Sequence, residues 1–252
     1  MVARFKVDSC FRPCKPNPQA RIRLFCFPYA GGGPYTYRNW PDRLPPSVEV
    51  LAAQFPGRGS RLFEPPFTDL AQFVEESSRS LLQYSDKPFA FFGHSMGALV
   101  SFKVACHLRE NNRPLPHHLF LSGRAGPRNL QGKLRISRLS DADFILELSR
   151  LGGTPKAVLE NTELMTMMLP SVRADFVACE SYIHTMESPL PCPISVFTGM
   201  EDAEFTQEQL EEWHTETAGS FSLKSFPGDH FYLEMEQQLL FDTIANSLTA
   251  VE

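Results

Sequence analysis

The chain has 252 residues, of which 42% are hydrophobic and 21% charged, so it is long enough to bury a full hydrophobic core. Its net charge of −5 argues against a nucleic-acid-binding protein, which would show a basic stripe. No apolar run is long enough to span a bilayer, and the N-terminus lacks the apolar core of a signal peptide, which predicts a soluble, cytoplasmic protein without membrane insertion.

The six cysteines are scattered along the chain, several of them within apolar stretches. In a reducing compartment such cysteines serve as small core residues. Cys10 and Cys14 are close enough in sequence to suggest a metal site, but no second pair of Cys or His residues follows at ligand spacing. We therefore expect no metal ion.

The first stretch of the chain, residues 1–20, is polar and contains three prolines, which predicts an irregular arm. Residues 21–27 follow as a buried strand, and a glycine-rich loop, residues 28–34, comes directly after it. That loop could bind phosphate as in a nucleotide site. It lacks, however, both glycine patterns typical of such sites, G-x-G-x-x-G and G-K-[ST].

Trp40 and Leu44 predict a first helix, and Val48 to Ala53 predict the next strand. A turn-rich loop then carries Arg58 and Arg61. These arginines have two interpretations, either solvated loop side chains or contacts to an anionic arm of a substrate.

The stretch after an amphipathic helix at residues 70–81 carries the strongest chemical signal of the chain. An apolar run, residues 89–92, meets Gly-His-Ser-Met-Gly at 93–97, and apolar residues at helical spacing follow. This pattern indicates a nucleophile elbow, a strained strand-to-helix turn with Ser95 at its tip and no room for Cβ atoms at the two glycines. G-x-S-x-G also occurs by chance in loops, but the flanking strand and helix favour the catalytic interpretation.

The elbow also predicts two donors for an oxyanion. Because Met96 begins the helix, its backbone N–H and the positive end of the helix dipole point to where an oxyanion would form. In folds with this elbow, the loop after an early strand supplies the second N–H. We assign that N–H to Tyr29, with Ala30 as the alternative.

Strand and helix patterns alternate as far as the strand at residues 118–123, which predicts an α/β fold of the α/β-hydrolase type, with a mostly parallel sheet and helices on both faces. Residues 127–191 break the alternation, since helical patterns dominate there and no strand run occurs. We interpret this segment as a helical lid inserted into a single domain spanning residues 1–252.

Within the predicted lid, Ser140 and Asp143 form a capping pattern ahead of one helix, and Gly152 ends it. A second helix begins near Thr162 and is interrupted by Pro170. The segment also holds a cluster of methionines, Met165, Met167 and Met168. They either pack in a core or line a pocket for a long acyl chain, since flexible thioethers re-pack around varied apolar ligands.

The last part of the chain supplies an acid. The strand at residues 193–197 runs into a loop that carries Asp202, and an acid after a late strand is where elbow enzymes place their orienting carboxylate. Glu201 and Glu204 are possible substitutes.

After a final strand at residues 221–226, a turn presents His230 to solvent and to the elbow. His94 lies beside the nucleophile in sequence, but its side chain points away from it, so we interpret it as a packing residue. The order Ser95, Asp202, His230 is that of the α/β hydrolases. It predicts nucleophilic attack by Ser95, with His230 as base and Asp202 holding the imidazole, and no metal or cofactor is needed.

Together these residues make the chain resemble the type II thioesterases, most closely the animal medium-chain S-acyl fatty acid synthase thioesterases. The resemblance covers nearly the whole chain. It rests on these segments: residues 25–32, 56–58, 87–97, 151–155, 169–170, 173–175 and 228–231.

The resemblance implies hydrolysis of the thioester between a fatty acyl chain and the phosphopantetheine arm of an acyl carrier domain. In animals this releases medium-chain fatty acids from fatty acid synthase, a step of fatty acid biosynthesis and lipid metabolism, whereas microbial relatives clear stalled acyl groups from polyketide and peptide synthetases. A partner synthase is therefore implied, and Ser95, Asp202 and His230 match the family's triad positions. The alternatives are a carboxylesterase or lipase acting on oxygen esters, and a binding module with an inactive triad.

Overall fold

The computed structural model describes residues 10–130, 135–234 and 238–249. In these residues seven strands form one sheet, in the order β1-β3-β2-β4-β5-β6-β7. The strands are β1 (Phe11–Pro13), β2 (Ile22–Phe27), β3 (Val48–Ala53), β4 (Phe89–His94), β5 (Leu119–Ser122), β6 (Ile194–Gly199) and β7 (Phe221–Phe226). Only β1 runs antiparallel to its neighbour, so the predicted α/β fold with a mostly parallel sheet is confirmed.

The five inner strands of the sheet are buried along their whole length. Parallel strands covered on both faces have this property, which is why they read as continuous apolar runs in the sequence. The edge strand β7 is only partly buried. Each of the six strands predicted from such runs is present within one or two residues of its predicted bounds.

β1 was not expected, because it lies in the stretch predicted to be an irregular arm, whose residues 1–9 are outside the described part. Its Phe11 is 1% exposed and packs edge-on against Phe25 and Phe27, with ring centroids 4.7 and 5.4 Å apart. A single aromatic anchor thus pairs this stretch with β3 despite its prolines, one of which, Pro13, ends the strand.

Helices cover both faces of the sheet. The described α-helices are α1 (Leu70–Leu81), α2 (Met96–Glu110), α3 (Asp141–Leu151), α4 (Lys156–Leu159), α5 (Thr162–Glu180), α6 (Gln207–Glu211) and α7 (Gln238–Thr249). Residues of α1 and α2 share one core cluster with the sheet, whereas α7 packs in a second cluster on the opposite face. None of these helices is long and apolar enough to cross a membrane.

The predicted first helix around Trp40 and Leu44 is wrong in type. Two short 3-10 turns, Pro34–Tyr37 and Trp40–Asp42, occupy this stretch. Each carries a proline at its first or second position, where the missing N–H is tolerated but the segment stays short. Trp40 is nevertheless buried, as its pattern indicated, and packs edge-on against Phe92.

Between β5 and β6 the described residues form helices and turns, which we call the helical insertion. It has a small core of its own, built by Phe144, Leu148, Met165, Leu169 and Val172. α3 starts at the Ser140 cap and ends at Gly152, whose φ of +82° is the left-handed conformation that glycine adopts easily.

Pro170 does not interrupt its helix, contrary to the prediction, since α5 runs through it. A proline inside a helix costs about 3 kcal/mol. Leu169 and Val172, on either side of it in sequence, are buried in the core of the insertion, and this packing offsets that cost.

Candidate active site

Ser95 lies at a strained turn between β4 and α2. Its φ and ψ of 53° and −111° lie in a region that residues other than glycine rarely adopt. The turn is tight: a Cβ on Gly93 would lie 2.2 Å from the carbonyl oxygen of Gly97, and one on Gly97 would lie 2.0 Å from that of Phe27. The two glycines of the motif are therefore required for close backbone approach, as the elbow pattern predicts.

The loops after β6 and β7 bring Asp202 and His230 together. Nδ1 of His230 lies 2.7 Å from Oδ2 of Asp202, and the two side chains are only 10% and 1% exposed. The backbone N–H of Glu204 donates to the other oxygen, Oδ1, of Asp202 at 2.9 Å. The carboxylate is thus fixed in place, with Oδ2 directed at the imidazole.

The two loops are joined through their backbones. The N–H of Glu201 donates to the carbonyl of Gly228 at 2.9 Å, and the N–H of Met200 donates to that of Phe226 at 2.8 Å. At the end of β6, the Cα of Gly199 faces the carbonyl oxygen of Asp229 so closely that a Cβ there would lie 2.1 Å from it. The position of His230 relative to Asp202 therefore depends on a glycine at residue 199.

Ser95 and His230 line one cavity of about 310 Å³. Met96, Tyr29 and Ala30, the residues predicted to supply the oxyanion donors, line the same cavity. Thus these five residues line one space, and Asp202 contacts His230 from behind. His230 is buried, however, so the expectation that its turn presents it to solvent is wrong.

The walls of this cavity come from the helical insertion and from the loop after β6. Its apolar lining includes Ile136, Leu148, Leu151, Phe176 and Phe205. Arg150 of α3 forms an ion pair with Glu204 at 2.9 Å at the edge of the cavity, which links the insertion to the loop that carries Asp202. The cavity thus combines an apolar wall with charged side chains, among them Glu147, Arg150 and Glu180, as in sites for small amphipathic ligands.

The methionines of α5 do not line this cavity, so the pocket interpretation is wrong for the space at Ser95. Met165 is buried in the core of the insertion, and Met167 is 54% exposed. Met168 borders a second cavity of about 520 Å³, which is also lined by the glycine-rich loop. The cavity at Ser95 is lined instead by other apolar side chains of the insertion, among them Phe176, Leu148 and Ile136.

Neither interpretation of the loop arginines holds. Arg58 is buried and forms a two-point ion pair with Asp175 of α5, with Nη2 to Oδ1 at 2.7 Å and Nη1 to Oδ2 at 2.8 Å. Arg61 pairs with Glu64 and Glu76. The contact made by Asp175 was not predicted. Asp175 is the one buried carboxylate of α5, and the sequence of this helix does not indicate which distant loop it contacts.

His94 is fully buried, in agreement with its interpretation as a packing residue. Its Nδ1 lies 2.8 Å from the hydroxyl of Ser122, which lies 2.6 Å from that of Tyr232. Burial, together with the nearby charge of His230 when protonated, holds the pKa of His94 well below its usual range. His94 therefore stays neutral beside the imidazole of His230, with ring centroids 4.9 Å apart.

A second potential nucleophile, Cys179, also lines the cavity. Burial raises the pKa of its thiol to about 11, so at neutral pH it is protonated and a weak nucleophile. The described residues contain no cluster of three or more His, Cys, Asp or Glu side chains that could hold a metal ion. Among the described groups at this cavity, Ser95 is the one held at a strained turn, and it shares the cavity with His230, whose imidazole is oriented by Asp202.

Comparison with known proteins places the chain in a family. The family model for the thioesterase domain matches residues 22–248. The gramicidin S biosynthesis protein GrsT of Aneurinibacillus migulanus is 40% identical over 246 residues, covering 98% of this chain and 96% of that protein. The human medium-chain S-acyl fatty acid synthase thioesterase is 37% identical over 236 residues, covering 91% and 88%.

Among solved structures, the type II thioesterase BorB from the borrelidin biosynthetic cluster superposes with a TM-score of 0.86 at 34% identity, covering 94% of this chain and 97% of that one. The resemblance inferred from the sequence is thus confirmed for the family. The narrower prediction, that the chain is most similar to the animal enzymes, is not confirmed, because the bacterial GrsT is at least as similar. The chain belongs to the thioesterase family, among the type II thioesterases.

Proposed function

We propose that this protein is a serine hydrolase that cleaves acyl thioesters held on the phosphopantetheine arm of a carrier domain. In this proposal Ser95 is the nucleophile, His230 the general base and Asp202 its orienting acid. The N–H groups of Met96 and of Tyr29, or Ala30 in its place, bind the oxyanion. The observation that carries the proposal is that the oriented His230 and the strained Ser95 open on one apolar cavity.

The protons move as follows. The carboxylate of Asp202 accepts the hydrogen bond from Nδ1–H of His230, which leaves Nε2 free to accept a proton. Nε2 takes the proton of Ser95 as its oxygen attacks the thioester carbonyl, and the oxyanion of the tetrahedral intermediate accepts the two backbone N–H groups. The protonated imidazole then gives its proton to the leaving thiolate. A water molecule repeats the sequence on the acyl-serine and releases the free acid.

The Met96 donor is supported by its position as the first residue of α2, because the first N–H groups of a helix have no partner within the helix. The second donor comes from a tight turn in which the N–H of Gly32 donates to the carbonyl of Tyr29 at 2.9 Å. The backbone hydrogen bonds described for this turn do not use the N–H of Tyr29 or of Ala30, and both residues line the cavity.

We further propose that the protein is one domain and that the helical insertion acts as its lid, covering Ser95 while the acyl chain occupies the space between Phe176, Leu148 and Ile136. The Arg150–Glu204 ion pair is exposed enough to open and close at little cost in free energy. The six cysteines are free thiols, which supports a cytoplasmic location.

Two kinds of synthase are candidates for the partner. Similarity to the human medium-chain enzyme supports release of medium-chain fatty acids from fatty acid synthase, and with it a role in fatty acid biosynthesis. Similarity to GrsT and BorB, which belong to antibiotic pathways, supports removal of stalled acyl groups from peptide or polyketide synthases. The chemistry at Ser95 is the same in both cases, and the acyl carrier domain differs.

The test is steady-state hydrolysis of acyl-CoA thioesters of increasing chain length, beside matched p-nitrophenyl esters, by the wild type and Ser95→Ala. The matched control is Ser101→Ala, which removes a buried hydroxyl six residues after Ser95 in α2, where it donates to the carbonyl of Ala98. We expect thioester cleavage with a maximum at one chain length, abolished in Ser95→Ala and retained in Ser101→Ala.

Cleavage of oxygen esters alone would contradict the proposal and favour a carboxylesterase. Acyl-loaded carrier domains from a fatty acid synthase and from a peptide synthetase then decide between the partners, since the physiological carrier should give the higher kcat/KM. Equal rates with both carriers and with free acyl-CoA would contradict a specific carrier partner.

A further inference from the structure

The glycine-rich loop is tied to α5 by a buried ion pair that the proposed chemistry does not use. Asp175 is fully buried, and its Oδ2 accepts the N–H of Gly31 at 2.7 Å. The same carboxylate pairs with the guanidinium of Arg58 at two points, and Nη1 of Arg58 also donates to the carbonyl of Gly32 at 3.1 Å. Three segments distant in sequence thus meet at one carboxylate.

The hydrogen bonds from Gly31 to Asp175 and from Arg58 to Gly32 involve the turn in which we propose the second oxyanion donor. Residues 29–32 form a four-residue turn closed by the hydrogen bond from Gly32 to Tyr29, and Gly31, at the third position, has a φ of +78°. These features fit a type II turn, which differs from type I in the orientation of its middle peptide. That peptide joins Ala30 to Gly31, so the bond from Gly31 N–H to Asp175 selects its orientation.

The packing around the turn supports the same conclusion. A Cβ on Gly31 would lie 3.0 Å from Val172 of α5, and one on Gly57, beside Arg58, would lie 2.9 Å from Ser171. The turn therefore lies in direct contact with α5. A buried ion pair is by itself weak evidence for stability, because desolvation of the two charges offsets their attraction. Its position suggests another role.

We infer that Asp175, supported by Arg58, is a positioning residue for the oxyanion site: it holds the Ala30–Gly31 peptide so that the neighbouring N–H, of Tyr29 or Ala30, faces the cavity at Ser95. This inference rests on the proposed function. It also makes α5 part of the catalytic geometry, because any shift of that helix displaces the carboxylate and with it the turn.

The experiment compares two double variants, R58M/D175N and R58M/D175L. Both remove the buried charges and replace Asp175 with a side chain of similar shape, but only the asparagine can still accept the N–H of Gly31. For each we would count active sites by fluorophosphonate labelling and measure kcat and KM for an acyl-CoA thioester. We would also measure affinity for two analogues, a trifluoromethyl ketone that forms an oxyanion and a non-hydrolysable thioether. Asp141→Asn, which removes an exposed carboxylate from an ion pair with Arg173 of α5, is the control.

We expect kcat per labelled serine to be at least tenfold lower in R58M/D175L than in R58M/D175N, since loss of a whole oxyanion donor costs about 10²–10³-fold. Affinity for the trifluoromethyl ketone should fall by the same factor, while KM and thioether affinity stay alike. A smaller difference in kcat, or an equal loss of affinity for both analogues, would overturn the inference. Should R58M/D175L fail to fold, the single variant Asp175→Asn, which keeps an acceptor, must retain kcat within tenfold of wild type.

Failure of the underlying function is visible separately. Wild-type protein that cleaves no thioester, or Ser95→Ala protein that still does, would remove the proposed function and this inference with it. Normal wild-type activity with no difference between the two double variants would remove the inference alone.

Discussion

Substitution of Gly199 by alanine tests whether the close contact between the loops after β6 and β7 sets the catalytic geometry. A Cβ at residue 199 would lie 2.1 Å from the carbonyl oxygen of Asp229 and 2.4 Å from that of Gly228. Contacts below 3.0 Å essentially never occur for Cβ atoms, so the backbone before His230 must move by roughly 1 Å. No flexible side chain is available to absorb the overlap, because both opposing atoms belong to the backbone.

The magnitude follows from the position of that backbone. His230 comes directly after Asp229, and its Nδ1 lies only 2.7 Å from Asp202. A displacement of about 1 Å in a catalytic group can cost roughly 100-fold in rate, or about 2.7 kcal/mol of transition-state stabilisation. We therefore expect Gly199→Ala to lower kcat/KM for acyl-CoA about 100-fold, with a loss of stability of about 1–3 kcal/mol from the overlap.

The assay is acyl-CoA hydrolysis together with thermal unfolding, with Gly33→Ala as the matched control. Gly33 is an extended glycine whose added Cβ would meet only Cδ of Arg58, at 3.9 Å. The same chemical change there should leave kcat/KM within about twofold of wild type. Gly199→Ala protein with kcat/KM within threefold of wild type, at an unchanged Tm, would refute the argument that this contact positions His230.

Three further predictions use other parts of the molecule. Burial lowers the pKa of His118 from 6.5 to about 4. As pH falls, this histidine is therefore protonated in the unfolded chain before it is protonated in the folded one. The free energy of unfolding should decrease between pH 6.5 and 4 by up to about 1.4 kcal/mol per pH unit. His118→Gln should remove this component from urea-unfolding free energies, and equal slopes in the two proteins would contradict it. Phe176→Ala should enlarge the cavity at Ser95 and move the chain-length optimum toward longer or bulkier acyl groups. The control is Val177→Ala, on the exposed side of α5, which should leave that optimum unchanged. A chain-length profile identical to that of the wild type would exclude Phe176 from the acyl site. Pro170→Ala restores a helical N–H at an exposed position and should raise the free energy of unfolding by about 1–3 kcal/mol. A lower free energy of unfolding would show instead that Pro170 contributes to the packing of α5.

The sheet could be predicted from the sequence because its inner strands are buried on both faces and so read as unbroken apolar runs. The elbow could be predicted for a related reason: Gly93 and Gly97 are required by contacts within a few residues of Ser95 or with the neighbouring strand. Asp202 and His230 were found from chain order and loop position, and they do lie within hydrogen-bond distance of each other. Their catalytic roles stay predictions.

The features that sequence reasoning missed depend on distant partners. The ion pair between Arg58 and Asp175 joins residues 117 positions apart, and nothing around either residue indicates the other. Phe11 was assigned to an irregular arm because local prolines outweighed one aromatic residue, yet packing of its ring against β2 decides the structure there. In α5, local propensity predicted a break at Pro170, and tertiary packing prevents it.

The pairing of β1 with β3 also bears on aggregation. Parallel strands such as β3 would, at the border of a sheet, present a row of free backbone groups to any other chain. Here the carbonyl of Cys10 accepts from Gln54, the N–H of Cys14 donates to Val50, and the outer strand has just three residues, with Arg12 exposed and Pro13 lacking an N–H. Such a short, charged and proline-ended strand is a poor template for a further strand, so this border of the sheet disfavours intermolecular pairing.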